Sequence, residues 1–113
     1  MDSGKVYSTL SLCMKAGKLK SGELATMEAI RGGTAKLVIV AEDASDNTKK
    51  QFMDKSKYYK VPIAIFGNKE KLGAAIGKEV RTSLAITDKG LSESIRKNLQ
   101  VLESDGGNVN GEN

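Results

Sequence analysis

Helix-like and strand-like segments alternate along a chain of 113 residues, which predicts an α/β fold: a three-layer α/β/α sandwich around a sheet of about four strands. Three observations carry this. The runs LVIVA at 37–41 and VPIAIF at 61–66 have strand length and are apolar throughout, as strands covered on both faces are. Each is followed by a capping residue and then by apolar residues at helical spacing. The length suits one core, since a domain of ~100 to 150 residues is the usual unit. Residues 1–102 are therefore expected to form a single domain. Residues 103–113, Gly- and Asn-rich and acidic, are expected to be a disordered tail.

In chain order, Val6, Leu10, Cys13 and Met14 place one apolar stripe on a first helix that ends near Gly17. Residues 18–20 form a short link or strand. Ser21 offers an N-cap hydroxyl to a second helix running to about Arg31, and Gly32-Gly33 stops it. After the strand at 37–41, Asp43, Ser45 or Asp46 can cap a third helix to about Lys57, with Phe52, Met53 and Tyr59 as its buried residues. Pro62, second in its strand, favours a strand start or a sheet edge. Asn68 caps a short fourth helix containing Leu72 and Ile76. The segment SLAIT at 83–87 is another strand, and Leu91, Ile95, Leu99 and Leu102 line a last helix.

Composition removes much of enzymology. The chain has no histidine, so His-based triads, His general bases, His metal sites and histidine pH switches are excluded. The single Cys13 cannot pair within the chain. On the apolar stripe it reads as a small core residue, with no imidazole to activate it as a nucleophile. No apolar run approaches the ~20 residues of a membrane span. With a lone thiol and no secretory pattern at the start, the chain reads as cytosolic.

Charge is the positive clue. Lys and Arg number 18 against 14 Asp and Glu, a net +4; the acidic tail holds three of the acids, which leaves +7 on the body. A basic body suggests a nucleic-acid partner, and solubility alone is the plainer account. The Gly-rich stretch GNKEKLGAAIGK at 67–78 fails as a phosphate loop. Gly73 and Gly77 are separated by three residues instead of four, and Glu79 follows Lys78 where a hydroxyl is required. No GxGxxG is present. Glu42-Asp43, at the carboxyl end of a buried strand, could be a catalytic pair, but helix capping explains the two carboxylates more economically.

The more informative constellation joins Lys15, Lys18 and Lys20, before the second helix, to Lys36 at a strand start and to Lys78 with Arg81 before the last strand. If the sheet brings these connections to one edge, the cations surround the amino end of the second helix, where the N–H groups of Gly22, Glu23 and Leu24 face outward and suit phosphate oxygens. An ordinary scatter of solvated lysines is the alternative. Five aromatic residues, two Phe and three Tyr, are too few for an aromatic-lined sheet that stacks single-stranded bases.

KLKSG at 18–22, AKLVIVAEDA at 35–44, KVP at 60–62 and LGAAIGKEVRTSLAI at 72–86 together resemble the ribosomal L-seven-Ae and L-thirty-e family of kink-turn RNA-binding proteins, and within it the small bacterial YlxQ-type branch. The resemblance covers about residues 5–100. It implies a three-layer α/β/α fold with a mixed four-stranded sheet, no enzymatic activity, no cofactor, and structured RNA as partner. It also places the RNA-facing segment at the opening of the second helix: Gly22, Glu23, Leu24, Ala25, Thr26, Met27 and Glu28. Gly22 and Thr26 match the family pattern, whereas Leu24 and Ala25 lack its base-contacting polar groups, and Glu28 stands where a phosphate-facing Lys is usual. By similarity the loop at 77–83 closes over bulged nucleotides, with Val80 as the apolar contact and Lys78 and Arg81 reaching phosphate.

The expected RNA-binding set is therefore Lys18, Lys20, Gly22, Glu23, Leu24, Thr26, Lys36, Lys78, Val80 and Arg81. The expected role is non-catalytic, in ribosome function or assembly, with the protein as a monomer. The rival reading is a protein-interaction module that uses the same surface for a translation or ribosome-assembly factor, motivated by Leu24, Ala25 and Glu28. Leu24 itself is open between the core edge, through its spacing with Met27 and Ile30, and an exposed contact.

Overall fold

Val6, Leu10 and Cys13 lie on one face of α1 (Ser3–Lys15) and are fully buried, so the apolar stripe in the sequence is the face that packs. The computed structural model describes residues 3–99. After α1 come β1 (Leu19–Ser21), α2 (Glu23–Arg31), β2 (Leu37–Val40), α3 (Asp46–Tyr59), β3 (Ile63–Ile65), α4 (Lys69–Ala75), β4 (Ser83–Ile86) and α5 (Lys89–Arg96). Leu102 and the acidic tail lie outside the described residues.

The strands form one mixed sheet in the order β1-β4-β2-β3. β4 is antiparallel to both β1 and β2, and β2 is parallel to β3. Helices α4 and α5 pack on α1, and α3 packs on α2, so the sheet lies between two helical layers. All four residues of β2 and of β4 are buried, as central strands covered on both faces require. β3 is an edge strand, consistent with Pro62 just before it. Phe52 of α3 is the largest fully buried side chain. Truncating such a residue to Ala typically costs ~3 to 5 kcal/mol.

Three local expectations are corrected and one open alternative is resolved. Ser21 ends β1 instead of capping α2; the N-cap is Gly22, which has no side chain to offer. Ser45 alone caps α3, accepting from the N–H of Thr48 at 3.1 Å, while Asp43 accepts from the N–H of Lys69 at 2.9 Å and so caps α4, 26 residues away. Met53 and Tyr59 are each 39% exposed: α3 presents only a narrow stripe to the sheet and to α2, centred on Phe52 and Ser56. Ile76 is buried but lies just past α4 as its C-cap. The caps Asn68 on α4 and Asp88 on α5 accept from Lys71 N–H and Leu91 N–H, both at 2.8 Å.

The register divides the sheet into two rims. At the near rim lie Ser21, Ser83, Val40 and Ile65; at the far rim lie Leu19, Ile86, Leu37 and Ile63. With a rise of ~3.3 Å per residue the two rims are about 10 Å apart. Everything about the candidate site depends on which connection falls at which rim.

Candidate nucleic-acid interface

Four connections meet at the near rim: β1 to α2, β2 to α3, β3 to α4, and α4 to β4. Hydrogen bonds between them make one assembly. Gly22 N–H donates to Ser83 O at 3.0 Å, Ala41 N–H to Thr82 O at 2.9 Å, Glu42 N–H to Gly67 O at 2.7 Å, and Arg81 N–H to Lys69 O at 2.9 Å. Side chains add two further ties, Asp43 to Lys69 N–H and the Arg81 Nε–H to Ser21 Oγ at 3.2 Å. Since a buried or half-buried backbone group must find a partner, loops tied this densely hold their shape.

Two glycines shape this rim for different reasons. Gly22 adopts φ 95 and ψ 158, a region essentially restricted to glycine. Space for a Cβ exists there, so the backbone conformation, not crowding, selects glycine and leaves open surface beside the helix start. Gly73 is selected by crowding: a Cβ on it would lie 2.5 Å from Glu79 O and 2.9 Å from Val80 N. The loop carrying Lys78, Val80 and Arg81 therefore lies directly on α4, held also by Lys78 N–H donating to Gly73 O at 2.8 Å.

At the start of α2, Gly22 N–H is used by Ser83, so the outward donors are those of Glu23, Leu24 and Ala25, which have no acceptor among the described residues. Leu24 is 75% exposed, which settles its position away from the core. With Glu23, Met27 and Arg31 it faces Gln51 and Phe52 of α3 across a shallow groove of about 350 Å³. Val80 is exposed, and Arg81 is half-buried against Ser21. Thr26, matched by sequence to the RNA-facing segment, is fully buried with its hydroxyl unpartnered among the described residues. It supports the helix start from beneath.

The cations do not gather as expected. Lys78 and Arg81 belong to the near rim, whereas Lys18 and Lys36 sit at the far rim: Thr87 N–H donates to Lys18 O at 2.9 Å and Lys36 N–H to Ile86 O at 2.7 Å. Lys20 lies mid-strand on β1, opposite Ala85, with its side chain exposed. The antiparallel pairing of β1 and β2 with β4 separates them, and long-range strand order is invisible to sequence spacing. Lys69 is the near-rim cation that sequence reading missed, because its link to Asp43 spans 26 residues and has no local signature. The exposed carboxylates Glu23, Glu42, Asp43 and Glu79 share this rim with Lys69, Lys78 and Arg81, so the rim has no excess of positive charge, and its distinguishing feature is the directed N–H donors at the start of α2.

Beneath the rim, Tyr7 stacks at a tilt on Phe66 with ring centroids 5.2 Å apart. Burial first, and the Glu42 charge second, hold its phenol above the usual pKa of 10.0. Glu42 and Asp43 converge on no shared substrate position; one hydrogen-bonds through its backbone and the other caps α4. Among the described residues no group of three or more His, Cys, Asp or Glu could hold a metal ion, and no helix is long and apolar enough to cross a membrane.

Residues 4–96 match the profile of the Ribosomal protein L7Ae/L30e/S12e/Gadd45 family. This chain belongs to that family. The RNA-binding protein YlxQ of Bacillus subtilis (strain 168) is 43% identical over 89 residues, 79% of this chain and 89% of that protein. The RNA-binding protein YlxQ of Enterococcus faecium is 40% identical over 96 residues, 85% and 92% of the two chains. A solved structure from Bacillus halodurans C superposes with a TM-score of 0.80 at 36% identity, covering 82% of this chain and 94% of the other. Together they identify an L7Ae-family protein of the YlxQ type, with the mixed sheet and layered helices expected from the sequence.

Proposed function

We propose that this L7Ae-family chain is a non-catalytic RNA-binding protein that receives sharply bent, kink-turn-like RNA on the near rim, in ribosome function or assembly. One observation carries the reading. The unpartnered N–H groups opening α2 lie beside a loop that Arg81 latches to Ser21, so backbone donors and the side chains of Lys78, Val80 and Arg81 form one prearranged surface. Helix starts favour phosphate oxygens through their free donors and dipole. A bent RNA exposes base edges that an ordinary A-form groove hides. The two YlxQ proteins carry RNA binding in their names, and a further relative, 39% identical, is the large ribosomal subunit protein eL30 of Spodoptera frugiperda. On this reading the protein acts as a monomer in the cytoplasm and needs no cofactor.

Leu24 and Ala25 cannot supply side-chain hydrogen bonds to bases, and each such contact is typically worth ~1 to 3 kcal/mol of discrimination. Preference for bent RNA then comes from backbone donors and shape. The test is binding of the purified protein to a kink-turn RNA and to a straight duplex of equal length across a salt series. Tighter binding to the bent RNA, weakened by Arg81→Gln, is expected. Equal affinity for both would overturn the proposal. It would favour the second reading, a docking surface for a translation or ribosome-assembly protein, for which the specific observation is the 75% exposure of Leu24 beside the α2–α3 groove.

A further inference from the structure

The far rim carries what the near rim lacks. Lys18 precedes β1, Lys36 precedes β2 and Lys60 leads into β3, and their backbones are tied to one another through the sheet. Thr87 and Ile86 of the β4 end bond Lys18 on one side and Lys36 on the other. Val38 N–H donates to Pro62 O at 2.9 Å, which continues the β2–β3 pairing back toward Lys36 and Val61. With strands ~4.8 Å apart, the three lysines form a row about 14 Å long. Lys57, one turn back on α3, and Arg31, at the end of α2, are exposed at the same side. Two acids on the flanking elements have partners of their own, and Glu28 is exposed on α2 one turn before Arg31. Asp88 accepts from Leu91 N–H at 2.8 Å, and Asp54, further back on α3, pairs with Lys50 at 3.0 Å.

At the end of the row two of the five aromatic residues are placed in solvent. Tyr58 is 77% exposed, and its ring packs T-shaped with that of the partly exposed Tyr59, centroids 4.9 Å apart at 76°. Packing does not account for Tyr58, since Phe52 and Ser56 are the residues that α3 buries. Lys60 supplies an independent sign. It caps α3 in the left-handed conformation, φ 59 and ψ 46, and is the one non-glycine residue with positive φ among those described. Glycine is preferred at such a cap, so a lysine held there against its backbone preference points to a use for the side chain.

We infer that the far rim is a second RNA site, for a single strand, in which an unstacked base lies on Tyr58 and successive phosphates follow Lys60, Lys36 and Lys18. A base needs a π-face, which Tyr58 presents, and the backbone needs spaced cations, which the strand ends provide. The protein then grips folded RNA at one end of its sheet and a neighbouring single strand at the other, about 10 Å away.

The test is fluorescence anisotropy of a labelled ten-nucleotide oligouridylate, which has no bent duplex to offer the near rim, with the full-length chain. Tyr58→Ala is expected to weaken binding roughly 5- to 150-fold, the range for removal of one stacked base, and Tyr58→Phe to retain it. Lys60→Gly is expected to raise the melting temperature, because strain is relieved, while lowering oligouridylate affinity and reducing the salt slope by about 0.7, one phosphate contact in a single strand. Arg81→Gln is expected to leave oligouridylate binding unchanged while reducing kink-turn binding, so the two sites fail separately. Wild-type affinity in both Tyr58→Ala and Lys60→Gly, or an equal loss in Arg81→Gln, would overturn the inference.

Discussion

Gly73→Ala tests the claim that the near-rim loop is held in place by contact with α4. The added Cβ would lie 2.5 Å from Glu79 O, 2.7 Å from Glu79 C and 2.9 Å from Val80 N, all backbone atoms that cannot rotate away. Ordinary contact begins near ~3.5 Å, so the Glu79 carbonyl must retreat by about 1 Å. That motion pulls on the Lys78 N–H to Gly73 O and Arg81 N–H to Lys69 O hydrogen bonds. Overpacking of this kind costs ~1 to 3 kcal/mol, against a gain of ~0.8 to 1 kcal/mol for alanine over glycine in a helix. A net loss of about 1 kcal/mol is expected, a fall of roughly 4–8 °C in Tm for a domain of this size. Because Val80 and Arg81 move with the loop, affinity for kink-turn RNA should fall at temperatures where the variant is still folded. Thermal melting by circular dichroism and anisotropy at 20 °C measure the two effects. A variant that melts with or above the wild type and binds RNA normally would refute the argument, since the loop would then have no need of the glycine.

Other expectations concern the same rim and the core. Gly22→Ala meets no steric block, yet should lose ~1 to 3 kcal/mol because φ 95 with ψ 158 is strained for any side chain; denaturant titration gives the value. Asp43→Ala should cost ~1 kcal/mol by leaving the Lys69 N–H without its acceptor while Asn68 still caps α4, whereas Asp43→Asn, which keeps an acceptor oxygen, should restore most of it. Burial, followed by the charge of Asp88, raises the Cys13 thiol from 9.0 to about 11. Its contribution to stability is thus fully present below pH 9 and is lost as pH rises toward 11, because the unfolded thiol ionises first. The stability difference between the wild type and Cys13→Ala should shrink over that window in urea titrations at stepped pH.

The order and kind of the elements are legible in the chain, because apolar runs at 37–41 and 61–66, helical stripes such as Val6, Leu10 and Cys13, and caps at Asn68 and Ser45 act within a few residues. The combination of KLKSG, AKLVIVAEDA and LGAAIGKEVR also made the family legible. Met53 and Tyr59 on α3 are more exposed than the apolar pattern implies, because helical periodicity gives a face but not its width, which the neighbouring layer sets. Tertiary structure alone decided which loops share a rim. Antiparallel pairing of β4 with β1 and β2 sends Lys18 and Lys36 to one end and Arg81 to the other. Asp43 reaches across 26 residues to cap α4, and Gly73 clears the backbone of Glu79. The physical reason is common to all three: strand order and loop contacts are settled by burial and hydrogen bonding between distant segments, and such contacts leave no periodic trace in the chain.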